Sequence, residues 1–106
     1  MERKGLRVNI EKTMDGGKLT IALEGRLDTV TAPRLEAEIK NGLAGVAELE
    51  FDFSRLEYLS SAGLRVLLSA RKIMNRQGTM VVRHANETIR EVFEITGFSD
   101  FLTVEA

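Results

Sequence analysis

The chain contains no cysteine, one proline and one histidine among its 106 residues. Without cysteine it can form neither a disulfide nor a thiolate metal site, and it has no thiol nucleophile, which suits a reducing compartment. The single histidine and the scattered acids show no metal-ligand spacing, and no glycine-rich phosphate loop of the Walker type is present. We therefore expect no metal and no cofactor.

The sequence also lacks an excess of charge of one sign and any long apolar run. The 15 basic and 16 acidic residues are interspersed, so we expect no direct binding to nucleic acid. Residues 1–10 have no apolar signal-peptide core, and about 18 consecutive apolar residues occur nowhere, so we expect no membrane span. These features predict a cytoplasmic protein with one domain over residues 1–106.

Two alternating segments near the start of the chain predict a β-hairpin. Apolar and polar residues alternate in "GLRVNIEK" and again in "KLTIALEG", which is the period of a half-buried strand. Asp15, Gly16 and Gly17 lie between them and tolerate the backbone angles of a tight connection. The hairpin is therefore predicted from Leu6 to Glu24.

The rest of the chain alternates between helical and strand-like periods. The predicted elements are a helix from Thr31 to Gly42 or Gly45, a strand at "ELEFDF", a second helix with Leu64, Leu67 and Leu68 facing the sheet, a strand at "TMVVRH", a helix from Asn86 to Gly97 and a last strand in "DFLTVEA". The order β-β-α-β-α-β-α-β favours a single-domain α/β fold, with helices packed on a sheet that contains parallel pairs.

Two adjacent serines, Ser60 and Ser61, come just before the second predicted helix. A serine oxygen can accept hydrogen bonds from the free N–H groups of a first helical turn, so N-capping is the ordinary explanation. The same position suits a phosphate, because free N–H donors and the helix dipole stabilise an anion there and Gly63 lets the backbone approach closely. The residues alone leave both explanations open.

Three segments, "GRLDTVTAPRLE", "DFSRLEYLSSAGLRVLL" and "IREVFEITGFSDFL", resemble the STAS domain of bacterial anti-sigma factor antagonists over nearly the whole chain. The resemblance implies a STAS-like fold with a mixed sheet. It also implies that Ser61, at the serine of the family motif D-S-(S/T)-G, is phosphorylated by a cognate anti-sigma factor serine kinase and dephosphorylated by a serine phosphatase. The unphosphorylated form would bind the kinase and free a sigma factor. Ser60 stands where the best-known members have aspartate, so Ser60 is a competing acceptor for the phosphate. Ala62 stands where a second hydroxyl is frequent, which leaves no hydroxyl at that position.

The resemblance further implies a partner-binding surface around the serine pair. It comprises Asp28, Ser60, Ser61, Gly63 and Arg65. Asp28 matches a family acid near the phosphorylation loop and would be an exposed contact residue, although a turn or cap aspartate before the first helix explains it equally well. Arg65 belongs to a basic stripe with Lys72 and Arg76, which is either a solvated helix face or a contact for an acidic partner.

Two other functions are compatible with parts of the sequence. A hydrolase would need His84 beside Ser61 and an acid such as Asp100 to orient it, but Leu59 stands where a nucleophile elbow requires glycine, so we expect no enzyme activity. The alternative that remains is a STAS scaffold in another assembly, such as a signalling complex or a lipid-transport machine, where Ser61 is only a cap.

Overall fold

The computed structural model describes residues 8–100 and 102–105 of the chain. Its elements are β1 (Val8–Asp15), β2 (Lys18–Leu27), α1 (Ala32–Gly42), β3 (Glu48–Leu59), α2 (Ser61–Met74), β4 (Thr79–Arg83), α3 (Glu87–Thr96), a short 3-10 helix (Phe98–Asp100) and β5 (Thr103–Glu105). This confirms the predicted order and the α/β fold class.

The strands form one mixed sheet in the order β1-β2-β3-β4-β5. The β1–β2 pair is antiparallel and the other three pairs are parallel. Gly16, with a φ of 61°, provides the left-handed backbone that the two-residue hairpin turn requires. The predicted hairpin is therefore confirmed from Val8 onward, while Leu6 lies outside the described residues.

Strands β2 and β3 run further than the sequence predicted. β2 ends at Leu27 instead of Glu24, and β3 ends at Leu59 instead of residue 53. The parallel register between them shifts after Ala22 and again after Gly25, which breaks the simple alternation of buried and exposed side chains. The last residues of both strands therefore show no strand period in the sequence, yet they pair with each other.

The core lies on one face of the sheet, under the helices. Leu49, Phe51 and Phe53 of β3 are buried there, whereas the intervening Glu50 and Asp52 reach the opposite, polar face. On that face Glu50 lies within ion-pair distance of both Lys18 and Arg83. A sheet with one covered and one solvated face has the alternating sequence pattern from which these strands were predicted.

Helix α2 packs on the sheet with a slightly different set of residues from the one predicted. Leu64 and Leu67 are buried as expected, but Leu68 is only half-buried. Leu68 follows Leu67 by about 100° around the helix and therefore lies at the margin of the covered face, while Val66 and Ala70 complete that face.

The helix boundaries follow the predicted signals. Pro33 lies in the first turn of α1, the Asn86 side chain accepts a hydrogen bond from the Ile89 N–H at 2.8 Å, and Gly97 ends α3 with a φ of 79°. Within the described residues, no helix is both long enough and apolar enough to cross a membrane.

Candidate functional site

The serine pair lies where β2 and β3 end side by side. Leu27 and Leu59 are partners in the parallel register, and the Ser60 N–H donates to the Leu27 carbonyl at 2.9 Å. The carboxyl ends of parallel strands share one edge of a sheet, so the turn that begins at Asp28 lies beside the start of α2. The structure thus brings Asp28 close to the serines despite their separation in sequence.

Ser60 is the N-cap residue of α2, but its side chain makes no capping hydrogen bond. Its backbone is extended (φ −95°, ψ 175°) and its carbonyl accepts the Leu64 N–H at 3.0 Å, as an N-cap carbonyl does. The Ser60 hydroxyl oxygen is buried and has no hydrogen-bond partner among the described residues. Capping by the Ser60 hydroxyl, one of the two explanations left open by the sequence, is therefore not found, because this hydroxyl is enclosed by the protein and does not meet the first-turn N–H groups.

Ser61 is the first residue of α2, and its side chain is exposed. Among the described residues, no side chain caps the N–H groups at the start of this helix. Their donors and the positive end of the helix dipole therefore remain available to an anion attached at Ser61. The two serines differ sharply, since one hydroxyl reaches solvent and the other does not.

Gly63 allows α2 to begin directly over the ends of β2 and β3. A Cβ at this buried position would lie 2.6 Å from Leu59 Cδ1 and 3.0 Å from Leu27 Cδ2, so that these leucine side chains would have to shift to make room for it. Its position gives Gly63 a packing role under the loop. The partner contact predicted for Gly63 stays a prediction.

Asp28 organises the turn between β2 and α1. Its Oδ1 accepts hydrogen bonds from the backbone N–H groups of Val30 (3.0 Å) and Thr31 (3.1 Å). Its side chain is only 18% exposed, and Oδ2 lies 3.8 Å from Arg26 Nε. Of the alternative, a turn or cap aspartate, the turn role is confirmed, because these N–H groups precede α1, whose N-cap is Thr31. The expectation of an exposed contact residue is wrong, because the side chain is largely covered. A part in partner contact stays a prediction.

Arg26 and Tyr58 form a stacked pair beside this turn. The Arg26 guanidinium lies 4.2 Å from the centre of the Tyr58 ring, within the range of a cation–π interaction. They are partners in the β2–β3 register, one residue before Leu27 and Leu59. Sequence reasoning missed this pair, because only the register of the long strands brings the two residues together.

Arg65 follows Ser61 by one helical turn, and its side chain is exposed. It lines a shallow groove of about 190 Å³ between α1 and α2, together with Thr29, Pro33, Glu36, Ala62 and Val66. The groove adjoins the serine loop. An exposed cation is therefore one turn away from the candidate phosphorylation site.

His84 does not lie beside Ser61. It follows Arg83, which pairs with Asp52, so His84 is level with Phe53 and about 20 Å of extended strand separates that level from Ser60. Among the described residues no hydrogen bond joins the Ser61 and His84 side chains. The serine–histidine arrangement that a hydrolase needs is thus not formed.

Asp52, on the polar face near His84, carries the perturbed carboxyl of this region. Partial burial by itself raises its pKa, but the backbone N–H and hydroxyl of Ser54, with the nearby His84 and Arg55, bring the pKa below its usual value. The Ser54 N–H donates to Asp52 Oδ1 at 3.0 Å. The charged carboxylate is therefore the form that the fold favours.

The chain belongs to the STAS domain family, whose model matches residues 9–106. BtrV of Bordetella bronchiseptica, whose name describes an anti-sigma factor antagonist, is 41% identical over 96 residues, which cover 87% of this chain and 83% of that protein. The anti-sigma-B factor antagonist of Listeria monocytogenes is 29% identical over 107 residues, covering 94% and 90%. An anti-sigma factor antagonist from Mycobacterium paratuberculosis has a crystal structure similar to this one, with a TM-score of 0.85 at 24% identity over 93% of this chain and 86% of that chain. The structural similarity confirms the STAS-like fold.

Proposed function

We propose that this protein is an anti-sigma factor antagonist that is switched off by phosphorylation of Ser61. In its unphosphorylated form it binds an anti-sigma factor serine kinase, which then releases a sigma factor. The observation that carries the proposal is the contrast between the exposed Ser61 side chain at the start of α2 and the buried hydroxyl of Ser60. The names of two relatives, at 41% and 29% identity, support the antagonist class.

The chemistry assigned to this chain is that of a substrate, with no catalytic residue of its own. The Ser61 oxygen attacks the γ-phosphorus of ATP held by the kinase, a new O–P bond forms, and the bond to the ADP oxygen breaks. The hydroxyl proton passes to a base of the kinase. A serine phosphatase reverses the modification with water, which returns the hydroxyl and releases inorganic phosphate. We propose that the protein acts in the cytoplasm, where the kinase has access to ATP.

The phosphate should leave the fold intact and act at the interface. It adds a charge of about −1.5 to −2 at the start of α2, where the helix dipole stabilises an anion. A kinase that phosphorylates Ser61 must bring this loop up to its nucleotide phosphates. A phosphorylated Ser61 then meets like charge, which can cost several kcal/mol, and about 1.4 kcal/mol already weakens binding tenfold.

The proposed contact surface surrounds Ser61. Asp28 shapes the neighbouring turn, Val30 on that turn is 67% exposed, and Arg65 extends the surface along α2. Ser60 and Gly63 support this surface from its buried side. The Ser60 hydroxyl is buried, and Gly63 packs against the strand ends. Each of the five residues assigned to the partner surface therefore either contacts the kinase or holds the loop in place.

The proposal is tested with the purified cognate kinase. Mass spectrometry after incubation with ATP should find phosphate on Ser61 in the wild type and in Ser60→Ala, and none in Ser61→Ala. Titration calorimetry should show that Ser61→Ala still binds the nucleotide-loaded kinase, and that Ser61→Asp binds at least tenfold more weakly.

Two results would contradict the phosphorylation switch. One is phosphate on Ser60, and the other is undiminished kinase binding by the fully Ser61-phosphorylated protein. Failure of the kinase to bind any form would favour the alternative of a STAS scaffold in another assembly.

A further inference from the structure

Arg65 is placed to reach a group attached at Ser61. The two residues are the first and fifth of α2, so they lie one turn apart on the same side of the helix, with about 5–6 Å between their Cβ atoms. Both side chains are exposed. A serine phosphate and an arginine guanidinium at this spacing can meet without any change of the backbone.

Arg65 is also uncommitted, unlike the other arginines near the loop. Arg26 stacks on Tyr58 and lies 3.8 Å from Asp28, and Arg34 donates to the Val8 carbonyl at 2.9 Å. In the part of the chain that the structure describes, no carboxylate lies within 4 Å of the Arg65 guanidinium. Its pairing with a new anion therefore breaks no existing interaction.

We propose that Arg65 becomes the internal counter-ion of the phosphate once Ser61 is phosphorylated. The planar guanidinium fork matches the phosphate oxygens and can donate two hydrogen bonds to them. The inference rests on the proposed function, because it concerns the phosphorylated form of the same site. It assigns Arg65 to the chain's own phosphate as well as to the partner.

This pairing gives the modification two effects at the interface. The phosphate introduces negative charge, and it also draws the Arg65 side chain back onto α2, so that a cation offered to the partner in the unmodified form is withdrawn. A kinase surface complementary to the unmodified loop then loses an attractive contact and gains a repulsive one. Specific interfaces commonly combine both kinds of change.

Other charged groups surround the loop and act on the phosphate in every variant alike. They are Arg26 and Asp28 beside the end of β2 and Glu36 on α1. Lys72 lies on the same exposed side of α2, but about 16 Å from Ser61 along the helix axis. This distance exceeds the screening length at physiological salt. Lys72 therefore provides the matched control, with the same charge on the same helix out of reach of the phosphate.

The test uses full-length protein with phosphoserine incorporated at position 61 during translation, so that no kinase is involved. Phosphorus NMR follows the second ionisation of the phosphate as pH is varied, in the wild type, Arg65→Gln and Lys72→Gln. A neighbouring guanidinium favours the dianion, so the phosphate pKa should be about 0.2–0.4 of a pH unit lower in the wild type and in Lys72→Gln than in Arg65→Gln. Circular dichroism melts of the three proteins confirm that each is folded.

An equal phosphate pKa in the wild type and Arg65→Gln would overturn the inference, as would an equal rise in Arg65→Gln and Lys72→Gln. The NMR result does not depend on whether the proposed function is correct. If the kinase does not phosphorylate Ser61, the phosphorylation switch is wrong, but the NMR comparison remains valid. If Arg65 does not pair with the phosphate, phosphorylation of Ser61 by the kinase is still expected.

Discussion

Leu27 and Leu59 are the last residues of two parallel strands, and they lie side by side in register, with Ser60 hydrogen-bonded back to the Leu27 carbonyl at 2.9 Å. This pairing fixes the turn at Asp28 and the start of α2 on the same edge of the sheet. The loop that carries Ser61 is therefore anchored to rigid elements on both sides, which is the arrangement that holds a recognition site most accurately.

The first prediction separates the packing beneath the loop from the loop itself. Leu67 is 0% exposed, so Leu67→Ala should lower the unfolding free energy of the protein by about 2–5 kcal/mol. Ser61→Ala removes no capping hydrogen bond and should change the unfolding free energy by less than about 1 kcal/mol. Urea melts measure both, with the half-buried Leu68→Ala expected between them. A larger loss in Ser61→Ala than in Leu67→Ala would contradict this placement of α2.

The second prediction concerns the turn at Asp28. Asp28→Ala removes the acceptor of two backbone N–H groups and should lower the unfolding free energy by about 1 kcal/mol, as loss of a helix cap does. Asp28→Asn keeps an oxygen at the same place and should lose less. Thermal or urea melts of both variants test this.

The same two variants test whether Asp28 contacts the kinase or acts only in the turn. If the carboxylate touches the kinase, Asp28→Asn binds more weakly although its turn is intact. Equal affinity of Asp28→Asn and the wild type would limit Asp28 to its structural role in the turn.

The third prediction concerns close packing at Gly63. Gly63→Ala adds a Cβ that would lie 2.6 Å from Leu59 and 3.0 Å from Leu27, and overpacking of this kind costs about 1–3 kcal/mol. The gain from replacing a helical glycine is at most about 1 kcal/mol, so the variant should be less stable than the wild type. Gly42→Ala is the matched control, since a Cβ there meets nothing within 4 Å. Equal stability of the two variants in urea would argue against direct contact between α2 and the strand ends.

The fourth prediction is the pH dependence contributed by Asp52. Its pKa is lowered in the folded state, so its charged form stabilises the protein above the usual carboxyl pKa of about 3.8. That contribution is lost as the pH falls through the lower, folded-state pKa. The wild type should therefore be more stable than Asp52→Asn at pH 7, and the difference should shrink below pH 4. A difference that stays constant from pH 7 to pH 3 in urea melts would contradict the assignment.

The order of elements could be predicted from the sequence because each element has a regular period or a clear boundary residue. The alternation of Leu49, Phe51 and Phe53, the side chain of Asn86 and the glycine at position 97 all act locally, and local patterns survive in the folded protein. The ends of β2 and β3 could not be predicted, since the register shifts between them interrupt the alternation.

Within the candidate site, the sequence identified the loop but not the difference between its serines. Both are ordinary helix-start residues by type, and only the tertiary packing around Ser60 encloses one hydroxyl while Ser61 stays exposed. The stacking of Arg26 on Tyr58 likewise depends on how two distant strands align. The half-buried position of Leu68 depends on where the covered face of α2 ends, which a spacing pattern defines only to within one residue.

The start of α2 is held firmly against the sheet by Gly63 and the paired strand ends. This affects how fast the protein can respond to phosphorylation. Because the loop is the same shape with or without a phosphate under the proposed function, no slow rearrangement separates modification from loss of binding. The amount of kinase that is bound then depends on the fraction of the protein that is unphosphorylated at Ser61. The opposing rates of the kinase and the phosphatase determine that fraction. Under the proposed function, the concentration of unphosphorylated protein relative to that of the kinase then determines how much sigma factor is released.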